Sequence, residues 1–280
     1  MIALVPRGIV AEIVALALDE DLGGRGDLTS LATIPADATA SFMIMSRAEG
    51  VLCGRQPADE VCAQLGGVSI EWKAEDGERV SKGDPVGRVT GNARAVLTAE
   101  RSVLNFLGRL SGVATLTRAY ADAVAGSGAV IAHTRKTTPG LRALELQAVR
   151  AGGGASHRFG LDDAILIKDN HVAVCGGVGE AVRRAKAYAG HMTRVAVEVD
   201  RLDQLGDAIE AGAESVLLDN FSLDDLRNAV RQAEGRVTLE ASGGVTLQTV
   251  RAIAETGVDV ISVGALTHSA TNFDLGLDAV

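Results

Sequence analysis

The chain has 280 residues, 47% hydrophobic and 22% charged, a balance that supports a buried core in one large domain or two moderate ones and excludes a disordered polymer. No apolar run approaches the roughly 18 residues of a membrane span; Ile9 to Leu18 carries Glu12 and runs into Asp19, Glu20 and Asp21, so it is no secretory leader and implies a cytoplasmic location. With 27 Lys and Arg against 36 Asp and Glu, a formal charge of -9 and 3% aromatics, the surface excludes nucleic-acid binding, which needs basic patches and stacking rings.

In chain order, the first hundred or so residues show no regular alternation. An amphipathic helix near Ile9 to Leu18 precedes strands at Thr39 to Arg47, Val68 to Lys73 and Pro85 to Thr90, separated by Gly-rich turns, which is an α+β pattern. The stretch Glu75 to Val89 resembles the half-barrel of biotinyl and lipoyl carriers, but no Met-Lys hairpin tip is present, and its turns read as strand punctuation. A long helix from Ala93 to Ala114, apolar at Val96, Val103, Leu107 and Leu110, stops near Ser111-Gly112 and joins two domains drawn at 1–112 and 113–270, with the tail 271–280 packing back on the first.

From Ala129 onward, strands alternate with helices. The strands are Ala129 to Ala132, Ala164 to Lys168, Val195 to Val199, Val216 to Leu218, Val237 to Leu239 and Val260 to Val263. Helices at Gly179 to Ala189, Leu202 to Ala211, Leu223 to Ala233 and Leu247 to Thr256 have the spacing of amphipathic segments packed on one side. This α/β alternation predicts a parallel sheet, and an open, incomplete barrel is favoured over a doubly wound sheet. No GxGxxG follows the first strand, while polar residues follow nearly every strand, where barrels place their chemistry. The 33 glycines against five prolines fit many tight strand-to-helix turns. Cys53, Cys62 and Cys175 are too scattered for a disulfide framework or metal clip and are expected as free, mostly buried thiols.

The chemistry concentrates after the strands. The first ends in His133-Thr134-Arg135-Lys136, the next loop carries Gly152-Gly-Gly154, His157 and Arg158, and the second strand ends in Lys168-Asp-Asn-His171. Each pair alone reads as a solvated turn; together these basic clusters converge on one barrel mouth. Such a mouth in an acidic protein is costly unless an anion fills it. Several arginines suggest several anionic groups held in fixed orientation, as in a dicarboxylate or polyphosphate. The later strands end in acids instead: Glu198-Val-Asp200, Asp219-Asn220 and Glu240-Ala-Ser242-Gly243-Gly244. Oxygen ligands there suit Mg2+ shared with substrate phosphates, although each acid alone reads as a helix cap. Ser242-Gly243-Gly244 and Gly264 offer bare backbone N–H groups where barrels hold a phosphate.

In this order the motifs resemble the quinolinate phosphoribosyltransferase family over nearly the whole chain. They are Glu20-Asp-Leu-Gly, Gly26-Asp-Leu-Thr-Ser30, Glu100-Arg101, Asn105-Phe-Leu, Leu110-Ser-Gly, Thr134-Arg-Lys-Thr-Thr-Pro-Gly140, Gly152-Gly-Gly, His157-Arg158, Ile167-Lys-Asp-Asn-His171, Leu218-Asp-Asn-Phe221, Ala241-Ser-Gly-Gly244 and Val263-Gly-Ala-Leu-Thr-His-Ser269. The resemblance implies an N-terminal α+β sandwich domain, an open α/β barrel, and a homodimer with sites at the subunit interface. It implies decarboxylating transfer of phosphoribosyl from phosphoribosyl pyrophosphate to quinolinate with Mg2+, giving nicotinate mononucleotide, pyrophosphate and CO2. By motif, Thr134, Arg135, Lys136, His157, Arg158 and Lys168 look like the quinolinate pocket, with Arg101 reaching in from the partner. Glu198 and Asp219 look like the ribose and metal-side carboxylates, and Ser242, Gly243, Gly244 and Gly264 like the ribose-phosphate cradle, with His268 a further substrate-binding residue and Lys136, Lys168, Glu198 and Asp219 carrying the catalysis.

Three places depart from the family pattern: His133, Leu146-Gln147 where Lys-Tyr is usual, and Ser156 where asparagine is common. Leu146 removes a cation. Two rivals remain: a nicotinate phosphoribosyltransferase, which handles a monocarboxylate, and an oxyanion-handling paralogue of the molybdate-transport type, against which Lys168-Asp-Asn-His171 argues.

Overall fold

The computed structural model describes residues 3–279. The chain forms two compact units: one runs to Arg118 and includes Thr137–Gly153 and Ala265 onward, the other holds Ala119–Lys136 and Gly154–Gly264.

The first unit opens with α1 (Arg7–Leu22), which buries Val10, Val14 and Leu18 one turn apart. Ile9 and Leu16, the latter 70% exposed, are interspersed among exposed Glu12, Asp19 and Glu20, so the helix lacks a continuous polar face. Then come α2 (Leu28–Thr33), β1 (Thr39–Ser46), β2 (Gly50–Val51), α3 (Arg55–Leu65), β3 (Val68–Trp72), β4 (Arg79–Val80), β5 (Pro85–Asn92) and α4 (Ala93–Ala123). Asp27 caps α2 by accepting the Ser30 N–H at 3.0 Å. The sheet is antiparallel, with β1 and β5 in the middle, β3 beyond β5, and β12 (Leu275–Ala279) beyond β1.

The helix stop expected at Ser111-Gly112 does not occur; α4 continues to Ala123. Both small residues serve close approach instead. Ser111 Oγ accepts the Cys53 N–H at 2.9 Å and donates to the Cys53 carbonyl at 3.0 Å. A Cβ on Gly112 would sit 2.1 Å from the Thr271 carbonyl oxygen. Gly112→Ala is therefore expected to destabilise the chain by about 1–3 kcal/mol, read as a lowered urea midpoint; an unchanged midpoint would show that the Thr271 segment yields.

Downstream lie β6 (Val130–Ala132), α5 (Arg142–Ala151), β7 (Ile165–Ile167), α6 (Asp169–Cys175), α7 (Val178–Tyr188), β8 (Val195–Val199), α8 (Asp203–Glu210), β9 (Ser215–Asp219), α9 (Leu223–Ala233), β10 (Thr238–Ser242), α10 (Val250–Ala254), β11 (Val260–Ser262) and α11 (Ala265–His268). The second unit's six strands are all parallel, in the order β6-β11-β10-β9-β8-β7. The first strand of the series thus pairs with the last. Ala155, ahead of β7, also bridges Ala132 in parallel, its N–H donating to the Ile131 carbonyl at 2.7 Å. Residues from all six strands, namely Ala132, Leu166, Ala196, Ser215, Glu240 and Val260, line one interior cavity, which a flat sheet could not arrange. The sheet is a barrel left open between β6 and β7. Strand alternation explains its two surfaces: on β8, Val195, Val197 and Val199 are buried against the helices, while Ala196 and Glu198 face inward.

Among the described residues no helix is long and apolar enough to cross a membrane. The three cysteines are free, with Cys53 and Cys62 buried and Cys175 half-buried. Burial, with Asp59 adding, pushes the Cys62 thiol up to about 11.

Candidate active site

At the ends of the barrel strands a cavity of about 570 Å³ collects residues from successive loops. One wall is cationic. Thr134, Arg135 and Lys136 follow β6, and the Thr134 hydroxyl folds this loop by accepting the Lys136 N–H at 3.1 Å. His157 and Arg158 come from the segment ahead of β7, and Lys168 from its end. Burial, then the neighbouring Arg135, push the Arg158 guanidinium below its ordinary value. Two cations that oppose each other in a partly desolvated wall are a standing demand for an anion. Arg135 Nε is buried with no hydrogen-bond partner among the described residues.

The backbone under this wall is fixed by imidazoles. His133 is 1% exposed, and its Nε2 accepts the His157 N–H at 3.0 Å. His157 Nδ1 in turn accepts the Arg158 N–H at 2.8 Å, and His157 Nε2 lies 3.3 Å from Glu240 Oε2. An Nδ1 that accepts places the ring proton on Nε2, facing Glu240. Both nitrogens of His157 are engaged, so the ring props Arg158 in place. His171 does the same for Lys168: its Nδ1 accepts the Lys168 N–H at 3.1 Å at the start of α6.

Beside Lys168 the rim turns acidic. Glu198 from β8 pairs through Oε2 with Lys168 Nζ at 2.6 Å. Asp219 ends β9, beside Ser242 in the β9–β10 register, and Gly243 and Gly244 follow. Gly244 has positive φ and open space where a Cβ would stand, leaving its backbone bare toward the cavity.

Eleven of the residues singled out from sequence therefore share one cavity, from Thr134 to Gly244. Three do not line it. Arg101 is exposed on α4, and His268 is exposed on α11, its Nδ1 2.7 Å from Ser269 Oγ; both belong to the first unit. Gly264 follows β11 but is absent from the lining. Leu146 is 6% and Gln147 1% exposed on α5 in the first unit, so Leu146 packs as an apolar residue while the Gln147 amide donates to Gln56 Oε1 at 3.4 Å.

Asn220 and Glu240, which the sequence marks only as members of strand-end runs without a role of their own, also line the cavity, as does Ser262, which sequence reasoning missed. Glu240 sits two residues before Ser242 on β10, hence on the same inward face, and period two carried the signal. Glu240 Oε1 and Ser262 Oγ are buried without a hydrogen-bond partner among the described residues.

Comparison with known proteins bears on this geometry. The chain matches the family descriptions "Quinolinate phosphoribosyl transferase, N-terminal domain" over residues 27–111 and "C-terminal domain" over residues 113–278. It is 45% identical over 268 residues to nicotinate-nucleotide pyrophosphorylase [carboxylating] of Mycobacterium leprae, covering 94% of each chain. It is 43% identical to the probable enzyme of that name in Bacillus subtilis, covering 92% of this chain and 89% of that one. The solved structure of the nicotinate-nucleotide pyrophosphorylase from Francisella tularensis is similar at a TM-score of 0.95 and 42% identity, covering 100% of this chain and 99% of that one. A parallel barrel open between its first two strands, with cations and carboxylates gathered at one mouth, has these relatives because the chain belongs to the quinolinate phosphoribosyltransferase family.

Proposed function

We propose that this mouth joins quinolinate to phosphoribosyl pyrophosphate and releases nicotinate mononucleotide, pyrophosphate and CO2, a step of de novo NAD biosynthesis. The observation that carries the reading is the single cavity with Arg135, Lys136, Arg158 and Lys168 facing Glu198 and Asp219. Cations suit the two carboxylates of the pyridine diacid and the leaving pyrophosphate; acids suit the sugar, which becomes cationic as the leaving group departs. The pyridine nitrogen attacks the anomeric carbon and the bond to pyrophosphate breaks. The adjacent carboxylate then leaves as CO2, and the electron pair left on the ring carbon is stabilised by the neighbouring ring cation until a proton takes its place. Little acid-base machinery is needed, so positioning supplies most of the rate.

Roles follow from the walls. Thr134, Arg135, Lys136, Arg158 and Lys168 hold quinolinate, with His157 propping Arg158. Glu198 and Asp219 face the ribose, and Ser242, Gly243 and Gly244 take the phosphate side. No group of three or more His, Cys, Asp or Glu side chains that could hold a metal occurs among the described residues. The donor set of Glu198 and Asp219 fits a Mg2+ that arrives with the pyrophosphate and keeps waters. Bound there, the ion neutralises charge on the leaving group.

The working form is a homodimer in which Arg101 enters the partner's pocket. Supporting this, Arg101 is exposed on α4, and the first unit carries a groove of about 540 Å³ lined by Ile13 and Leu16 of α1, Phe106 and Leu110 of α4, and Leu141 and Leu144. Apolar surface of that kind on a water-facing helix is typical of an interface.

The test is product formation from quinolinate and from nicotinate, with Mg2+ or excess chelator. Nicotinate leaves a cationic contact unpaired, so its kcat/KM should be lower by about two orders of magnitude; chelator should abolish turnover. Comparable use of both acids would overturn the diacid pocket, and full turnover in chelator the metal's part.

A further inference from the structure

We propose that Asn220 is a positioning residue: it engages one oxygen of the Asp219 carboxylate and seats its own amide on Gly243, so that Asp219 meets phosphoribosyl pyrophosphate through its other oxygen. The inference rests on the reading that Asp219 faces the ribose side, and deepens it.

Only two non-glycine residues among those described have positive φ, Asn220 at 57° and Glu234 at 50°. Glu234 is a helix terminus, following α9, where the left-handed conformation is routine. Asn220 ends no helix; it follows β9 directly. Asparagine is among the few side-chain-bearing residues that tolerate this region. The left-handed turn folds the side chain back on its predecessor, so that Nδ2 donates to Asp219 Oδ2 at 2.8 Å. The backbone N–H meanwhile donates to the Ser242 carbonyl at 2.9 Å, prolonging the β9–β10 ladder by one bond.

Gly243 completes the arrangement. A Cβ there would lie 2.2 Å from Asn220 Oδ1 and 2.6 Å from its Cγ, so the amide occupies the space a side chain at 243 would need. The two glycines of the cradle then have different tasks. Gly243 lacks a side chain to receive Asn220, whereas Gly244, with nothing within 4 Å of its notional Cβ, is the one left open to a ligand. Asp219 cannot turn its Oδ2 toward the cavity without breaking the amide contact, which fixes the carboxylate plane and couples it to the Ser242–Gly244 loop.

The experiment titrates the full chain calorimetrically with phosphoribosyl pyrophosphate in Mg2+ and, separately, with quinolinate. Asn220→Gly keeps the left-handed backbone and removes the amide; it should weaken phosphoribosyl pyrophosphate on the order of tenfold and leave quinolinate unchanged. Asn220→Asp, nearly isosteric, sets two carboxylates side by side and should weaken it further. In an Asp219→Asn background, Asn220→Gly should add no further loss, because the oriented carboxylate is already gone. Unchanged affinity in Asn220→Gly, equal loss for both ligands, or additive losses in the double variant would overturn the proposal. Asp219→Asn that binds phosphoribosyl pyrophosphate as the wild type does would instead overturn the ribose-side reading of Asp219 itself.

Discussion

Lys168→Ala is expected to lower kcat/KM by about a thousandfold while the chain stays folded. Lys168 Nζ stands 2.6 Å from Glu198 Oε2, with side chains 48% and 12% exposed. A pair whose lysine is half-exposed contributes little to stability, so the melting temperature should hardly move. In the loaded site the same pair is desolvated. The variant then loses a cation that faces the substrate anion and leaves Glu198 as an uncompensated negative charge beside it. Both losses fall on the bound state and not on the folded one, and that separation is the diagnostic. Lys168→Arg should recover only part of the activity, since a planar fork does not replace a compact ammonium on the backbone that His171 fixes. Wild-type turnover in Lys168→Ala with unchanged stability would make Lys168 a surface charge.

Arg101→Ala and Arg135→Ala should each be nearly inactive alone, and mixing the two proteins under conditions of subunit exchange should restore about a quarter of wild-type activity. The arithmetic comes from two-fold symmetry. Half of the randomly formed dimers are mixed, and each mixed dimer has one pocket carrying both substitutions and one carrying neither. Arg101 is exposed on α4 while Arg135 lines the cavity. Restoration requires the two arginines of one site to come from different chains. If labelled subunits demonstrably exchange and activity stays at the level of the single variants, Arg101 acts within its own chain or as a surface residue whose stem covers apolar neighbours.

Five of the six barrel strands are legible to within a residue because each is an apolar run closed by the polar residues of the mouth, as Val195–Val199 before Asp200 illustrates, whereas the fifth, expected to stop at Leu239, runs on through Glu240 to Ser242. The barrel itself is legible only indirectly, since the pairing of β6 with β11 is a long-range contact that no local pattern encodes. The strands β2 and β4, two residues each, are too short for any periodicity to show, and β12 has no sustained apolar run. At α4 small residues were read as punctuation, whereas Ser111 and Gly112 are small because other backbone comes close. The same ambiguity governs the site. Its charges are conspicuous in sequence, but Asn220 matters through a backbone angle and Glu240 through the face of a strand, and neither is visible until the chain is folded.

The pairing of Val130–Ala132 with Val260–Ser262 sets the order in which the protein can be made. During synthesis β7 to β10 can assemble stepwise as each strand emerges, every one beside the strand just before it. β6 emerges earlier than all of these, yet its ladder partner is the last of the six, so its edge waits exposed until β11 leaves the ribosome. The N-terminal sheet waits longer still, because the outer edge of β1 is covered by Leu275–Ala279. Closing such distant pairings is entropically slow. The nascent chain therefore carries the β1 edge unsatisfied through most of its synthesis and the β6 edge through nearly half of it, and refolding from denaturant should be slower and more aggregation-prone than in a protein of equal length whose strands pair only with their sequence neighbours.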